Sequence, residues 1–273
     1  MSVNTIILDW AGTTVDFGCM APVEAFKKAF ENRDIELTYE EIRKPMGMLK
    51  IDHIKQLLSL DNVKKQWFEL YGKPSDEADV RTIYHDFEKY LFADLIENSR
   101  LKPETKQAVK KIKQLGYNIG STTGYTNDMM KVVFETAKAE GYHPDYVVTP
   151  DDVDSLGRPY PYMIFENMRY FQNHSMDEVI KVGDTVSDIQ EGKNAGVLSI
   201  AITEGSSEMG LSLGEYKNLS KEEMDRLNQQ TAEHFYQHGA DLCVKNLLEL
   251  AEILQEHSTL QKLRRNKAGA KSI

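Results

Sequence analysis

Hydrophobic and polar positions along this chain fall into two textures. Near the amino end, Ile6-Ile7-Leu8 is an unbroken apolar run closed by Asp9, the pattern of a strand buried on both faces of a parallel sheet. From about residue 18 to residue 98 the apolar positions recur at helical spacing, and no strand pattern interrupts them. Val23, Phe26, Ala29 and Phe30 share one face behind Pro22, and Thr38 with Glu41 makes a capping-box pair. Proline at 45 predicts a helix over 45–60, a second is predicted over 63–71, stopped by Gly72 and Pro74, and a longer one over 79–96 carries Val80, Ile83, Tyr84, Phe87 and Leu91 on its apolar side.

Beyond residue 100, strand and helix alternate. Helices are predicted over 103–115, 126–140 and 161–171, and strands over 117–122, 146–148, 179–182 and 197–201. A short helix leads to Ala195, a capping box of Ser220 and Glu223 opens a helix to Gln237, and a weak strand at 242–244 precedes a last helix to Leu254. Such alternation means right-handed βαβ units: an α/β fold with a Rossmann-like doubly wound parallel sheet, to which the first strand belongs. The expected organisation is a core of residues 1–17 and 99–257, an all-helical cap inserted at 18–98 over the carboxyl edge of the sheet, and a basic tail at 258–273.

Composition narrows the class. At 273 residues, 41% hydrophobic and 28% charged, the chain suits a soluble globular protein with one full core and a smaller insert. It has no apolar run long enough to span a membrane, and Met1-Ser2-Val3-Asn4 lacks the basic start of a signal peptide. Two cysteines, Cys19 and Cys243, suggest no disulfide framework, so a cytoplasmic location is expected. The net charge of −10 argues against nucleic acid as a partner. The closing run of Lys262, Arg264, Arg265, Lys267 and Lys271 is expected to be a solvated tail.

Three strand ends should meet where open α/β sheets hold their ligands. The first carries Asp9, whose two oxygens suit attack on phosphorus and metal binding, followed by Gly12 and two threonine hydroxyls. The second carries Ser121-Thr122-Thr123-Gly124-Tyr125, suited to phosphate oxygens. The third carries Gly183-Asp184 with Asp188 one helical turn on, and Asp9 with Asp184 makes a hard-oxygen pair suited to Mg²⁺. Between the last two, Arg158 stands in a Gly-Arg-Pro-Tyr-Pro loop, a cation placed to neutralise a phosphoryl group.

This order of Asp-x-x-Gly-Thr, Ser/Thr strand tip, basic residue and Gly-Asp-x-x-x-Asp resembles the haloacid dehalogenase superfamily, over about residues 3 to 250. The resemblance implies a covalent intermediate on Asp9 and Mg²⁺ held by Asp9, the Ala11 carbonyl and Asp184. One position departs from it. Phosphomonoesterases of that superfamily carry a second Asp two residues after the nucleophile, to protonate the leaving oxygen. Here it is Ala11, and loss of a general acid costs roughly 10²–10⁴ in rate. The inserted helices offer compensation. On the helix expected over 45–60, Gly47, Ile51, Ile54 and Leu58 form one apolar stripe, and Met46, Lys50, His53 and Leu57 form another. A lysine among apolar neighbours is desolvated, which favours the neutral amine that condenses with an aldehyde. The alternative is a lysine snorkelling at a domain edge.

Asp-Trp-Ala-Gly-Thr-Thr-Val-Asp, Met-Gly-x-x-Lys-x-Asp-His, Ser-Thr-Thr-Gly-Tyr and Gly-Arg-Pro-Tyr-Pro together resemble the phosphonatase branch of the superfamily, cap included. That resemblance implies hydrolysis of the C–P bond of phosphonoacetaldehyde, with Lys50 forming a Schiff base and Asp9 an aspartyl phosphate. It implies that Met46, Gly47 and His53 act on substrate from the cap and that Cys19 and Tyr125 line the site. Thr123, Gly124 and Arg158 would hold the phosphoryl oxygens, and Asp188 would orient the metal cluster. It further implies a homodimer and a place in 2-aminoethylphosphonate breakdown. The competing expectations are a sugar-phosphate phosphatase or phosphomutase, a metal-free dehalogenase, and a binding protein without turnover.

Overall fold

The computed structural model describes residues 3–256, so the basic tail at 258–273 lies outside the described residues. β1 (Thr5–Leu8) is followed by the inserted helices α1 (Met20–Glu31), α2 (Tyr39–Arg43), α3 (Lys50–Leu58), α4 (Asp61–Tyr71) and α5 (Glu77–Asn98). The chain then alternates through α6 (Thr105–Gln114), β2 (Asn118–Thr122), α7 (Asn127–Glu140), β3 (Tyr146–Val148), α8 (Tyr162–Tyr170), β4 (Val179–Gly183), α9 (Val186–Ala195) and β5 (Leu198–Ile202). It closes with α10 (Leu213–Lys217), α11 (Lys221–Gln237), β6 (Leu242–Val244) and α12 (Leu247–Gln255).

The strands form one six-stranded sheet in the order β3-β2-β1-β4-β5-β6, every pair parallel. β1 is central: Thr5 stands opposite Asn118 of β2 and Val179 of β4. Chain order reverses between β1 and β4, which leaves a crevice beyond their carboxyl ends. Alternate β1 side chains feed two layers. Ile6 and Leu8 join a core with Ala108 and Ile112 of α6, Val133 of α7 and Leu250 of α12. Ile7 packs on the other face with Ile164 and Met168 of α8 and Ala195 of α9. Burial of both faces is why the strands read as continuous apolar runs.

The helical insertion between β1 and β2 forms the cap. Phe26 of α1 stacks on Phe87 of α5, with ring centroids 4.2 Å apart, and on His53 of α3 at 3.9 Å. α6 leaves this group and packs on α12. The two chain crossings into the cap lie side by side: Val15 bridges Leu101, and the Asp16 amide donates to the Arg100 carbonyl at 3.0 Å. Asp16 also accepts from the Met20 and Ala21 amides at the start of α1, although burial pushes its carboxyl up to about 7.

One prediction fails here in an informative way. The helix expected over 45–60 begins only at Lys50, after a turn in which Gly47 is left-handed at φ 87°. Gly47 and Met46 are therefore not part of a helical stripe, whereas Lys50, His53 and Leu57 do share the buried side of α3. The cause is tertiary. A Cβ on Gly47 would sit 2.4 Å from Thr185 Oγ1, and one on Gly124 would sit 2.8 Å from the Met48 carbonyl, so this turn is where cap meets core. α10, opened by a capping box of Ser212 and Glu215, has no counterpart in the sequence reading.

Gly47→Ala is accordingly expected to lose about 1–2 kcal/mol from left-handed strain and to hold the cap off the core. Thermal denaturation and the radius of gyration from X-ray scattering check this. An unchanged molecule on both counts would mean that Thr185 yields to the added methyl.

Candidate active site

The crevice between cap and sheet edge holds a small, half-open pocket. From the core it is walled by Asp9, Ala11, Thr123, Gly124, Tyr125, Arg158 and Thr185, and from the hinge and cap by Cys19, Met46, Gly47 and Lys50. Sequence reasoning had singled out all of these except Thr185, which also caps α9 through the Asp188 amide. His53 is the exception in the other direction. It is fully buried behind the cavity wall, with Nε2 2.8 Å from the Ile42 carbonyl, and the structure does not bring it to the cavity. Burial, and then Lys50, hold its pKa well below the histidine range.

Lys50 is 4% exposed. Its Nζ lies 4.0 Å from Met46 Sδ and 5.1 Å from the centre of the Tyr125 ring. Neither fixes an ammonium as a carboxylate does. Burial lowers its pKa and Arg158 adds to this, against the pull of Asp9 and Asp184. Burial pushes the Cys19 thiol up, with Asp16 and Asp184 adding, so it stays protonated.

On the core side the carboxylates are crowded. Asp9, Asp184 and Asp188 each offer an oxygen within 4.8 Å of the others, and all three are buried. Asp184 accepts from Thr13 Oγ1 at 2.9 Å and from the Ser207 amide at 2.8 Å. Gly12 makes this approach possible, because a Cβ there would sit 2.0 Å from Asp184 Oδ2. Burial raises the Asp184 carboxyl well above its ordinary range, with Asp9 and Asp188 pushing the same way.

Arg158 answers part of this charge. Its Nη2 donates to Asp9 Oδ1 at 2.6 Å and to Thr122 Oγ1 at 2.9 Å, its Nε to Glu191 Oε2 at 3.0 Å, and its Nη1 pairs with Asp188 Oδ1 at 3.0 Å. The side chain expected to bind phosphoryl oxygens thus first serves the carboxylates, and these contacts leave little of the guanidinium free. Lys181, buried in β4, pairs with Asp188 at 2.7 Å and Glu191 at 3.4 Å. Burial opposes ionisation of Asp188, yet Arg158 and Lys181 hold it below the usual carboxylate range.

Sequence reasoning missed Lys181 and Glu191. The available signals were a lysine between Ile180 and Val182 in a buried strand, and a glutamate one turn after Asp188. The carboxylates of Asp9, Asp184, Asp188 and Glu191 face two cations, Arg158 and Lys181, so ionised they leave two negative charges buried. Neighbouring Lys102 and Glu104, 3.9 Å apart, balance each other. A hard divalent cation among these oxygens closes the balance, so the donor set fits Mg²⁺.

Comparison with known proteins agrees with this geometry. The family model of haloacid dehalogenase-like hydrolases matches residues 3–196. The phosphonoacetaldehyde hydrolase of Bacillus cytotoxicus is 41% identical over 255 residues, covering 93% of this chain and 96% of that protein. The bifunctional phosphonoacetaldehyde hydrolase/aminoethylphosphonate transaminase of Clostridioides difficile is 43% identical over 252 residues; the match covers 92% of this chain but 40% of that longer protein. A crystal structure of a phosphonoacetaldehyde hydrolase-like protein from Oleispira antarctica superposes with a TM-score of 0.91 at 31% identity, covering 97% of this chain and 95% of that one. The chain belongs to the haloacid dehalogenase-like hydrolases and, within them, to the phosphonoacetaldehyde hydrolase family.

Removing one partner from a buried ion pair costs roughly 3–5 kcal/mol. Lys181→Met is expected to lose stability on that scale in urea denaturation, and adding Glu191→Gln should recover part of it. A loss below about 1 kcal/mol would show that Arg158 alone suffices to hold both carboxylates.

Proposed function

We propose that this chain hydrolyses phosphonoacetaldehyde to acetaldehyde and phosphate. The observation that carries the reading is Lys50: a buried amine, disfavoured as an ammonium, sharing one small cavity with Asp9, beside an alanine where an ester-cleaving relative would need an acid. A C–P bond has no leaving oxygen to protonate, so Ala11 removes nothing this reaction requires.

Lys50 Nζ adds to the aldehyde carbon and water leaves, giving an imine that carries a positive charge once protonated. An Asp9 oxygen attacks phosphorus. The electrons of the C–P bond move toward the iminium nitrogen, so carbon departs as an enamine rather than a carbanion. Protonation at carbon and attack by water on the resulting imine release acetaldehyde and restore Lys50. A second water attacks the aspartyl phosphate, releasing phosphate and restoring Asp9. Bound Mg²⁺, held by Asp9, the Ala11 carbonyl and Asp184 with Asp188 orienting them, would offset the charge of the phosphoryl group. Arg158 orients the Asp9 carboxylate, and Thr123 and Gly124 supply donors to the phosphoryl oxygens. Cys19, Met46, Gly47 and Tyr125 shape the pocket. The closed cap keeps water from the imine until carbon has left.

The fused transaminase of the Clostridioides difficile relative supports a place in aminoethylphosphonate breakdown, with a transaminase supplying the aldehyde. A homodimer through cap helices is supported by Phe68 and Tyr71, exposed on α4. No helix among the described residues is long and apolar enough to cross a membrane, and both cysteines are free, in keeping with the expected cytoplasmic setting.

Borohydride reduction in the presence of phosphonoacetaldehyde and Mg²⁺, followed by peptide mass mapping, should place a two-carbon adduct on Lys50 with loss of activity. Because the neutral amine reacts and burial lowers its pKa, trapping should rise with pH and level off at a lower pH than for an ordinary lysine. Lys50→Arg should abolish C–P cleavage while still binding phosphate. Turnover by Lys50→Arg, or an adduct elsewhere, overturns the imine route.

A further inference from the structure

We propose that Arg43 is a positioning residue that fastens the cap in its closed position, and that the backbone of Ser207 couples this contact to Asp184. The inference rests on the reading of Asp184 as a metal ligand. Arg43 ends α2, so it travels with the cap. Its Nη1 donates to the Gly18 carbonyl at 2.8 Å, at the hinge, and to the Ser207 carbonyl at 3.1 Å, on the core. Its Nη2 lies 3.3 Å from Met20 Sδ. One guanidinium thus spans the cap, the hinge and the loop that follows β5.

That loop is tied in on every side. The Glu204 carbonyl accepts from Lys102 Nζ at 2.6 Å, and the same ammonium donates to the Gly12 carbonyl at 2.8 Å. The Gly205 carbonyl accepts from the Gly18 amide at 2.8 Å. Ser207 N–H donates to Asp184 Oδ2 at 2.8 Å, and Glu208 accepts from the Val186 amide at the start of α9 at 3.2 Å. Ser207 is buried.

The coupling follows from the position of one residue. The Ser207 carbonyl, in the peptide unit after its Cα, accepts from Arg43, and the Ser207 N–H, in the unit before it, donates to Asp184, so a held carbonyl also fixes where the amide points. Cap opening carries Arg43 away from Ser207. The loop then loses a cationic partner, and Asp184 keeps a less ordered donor. A cation that binds best to the ordered Asp184 must, by linkage, favour the closed cap.

Mg²⁺ titrated with inorganic phosphate into the whole chain, followed by calorimetry, tests this together with hydrogen exchange at the Gly18 and Ser207 amides. In the wild type, Mg²⁺ should slow exchange at both. Arg43→Met should bind Mg²⁺ about fivefold or more weakly, its hinge exchange should no longer respond to Mg²⁺, and Arg43→Lys or added guanidinium should restore part of both. Equal Mg²⁺ affinity in wild type and Arg43→Met, or an unchanged Mg²⁺ response at Gly18, overturns the coupling while leaving the metal reading intact. A wild type that binds no Mg²⁺ removes the metal reading and the coupling with it. Should Arg43→Met fail to fold, the wild-type exchange decides alone, and no slowing at Gly18 and Ser207 overturns the proposal.

Discussion

Four carboxylates meet at the point where β1 and β4 lie side by side, and much of the local structure exists to make that crowding tolerable. Like charges in a low-dielectric crevice repel strongly. Arg158 therefore reaches from its loop to Asp9, Asp188 and Glu191, and Lys181 supports Asp188 and Glu191 from beneath. Gly12 and Gly183 lack the Cβ that would collide with Asp184 and Asp188. Thr13 and Ser207 supply donors to Asp184, the carboxylate that no cation among the described residues directly grips. With all four ionised, the two negative charges that remain are equal and opposite to the charge of a divalent cation.

The same burial works in the opposite sense across the cavity. A medium that makes a carboxylate costly also makes an ammonium costly, and Lys50, enclosed by Met46, Phe26 and Tyr125, is held toward its neutral form. Cap and core approach closely at the turn of Gly47 against Thr185. Asp9 stands at the sheet edge and Lys50 on α3, and both are buried where these two units meet. The cap joins its core through two adjacent crossings, tied together where Val15 bridges Leu101 and Asp16 bonds Arg100.

The core was legible in the chain because its signals are local. An apolar triplet ending in Asp9, a Ser/Thr strand tip and a Gly-Asp pair mark strand ends whatever the rest of the chain does, and the sheet order then brings them together. Lys50 was legible because Lys50, His53 and Leu57 share a face at helical spacing. The contacts between units were not legible. Nothing in Lys-Pro-Met-Gly-Met-Leu says that the helix must wait until Lys50, because the reason is Thr185, far along the chain. Helical spacing likewise placed His53 beside Lys50 but did not reveal that its ring turns to Phe26 and the Ile42 carbonyl.

By itself, then, the sequence determined the doubly wound sheet, its helical insertion, and the residues Asp9, Lys50, Arg158 and Asp184 from which the chemistry is argued. These follow from periodicity, end signals and side-chain chemistry, which act within a few residues. Tertiary structure alone decided what those side chains do for one another. It showed Arg158 engaged by carboxylates, placed Lys181 and Glu191 beneath the site, set the His53 ring against Phe26 and the Ile42 carbonyl, and tied Arg43 to the loop beside Asp184. Electrostatic partnership is set by distance in space, and distance along the chain carries no record of it.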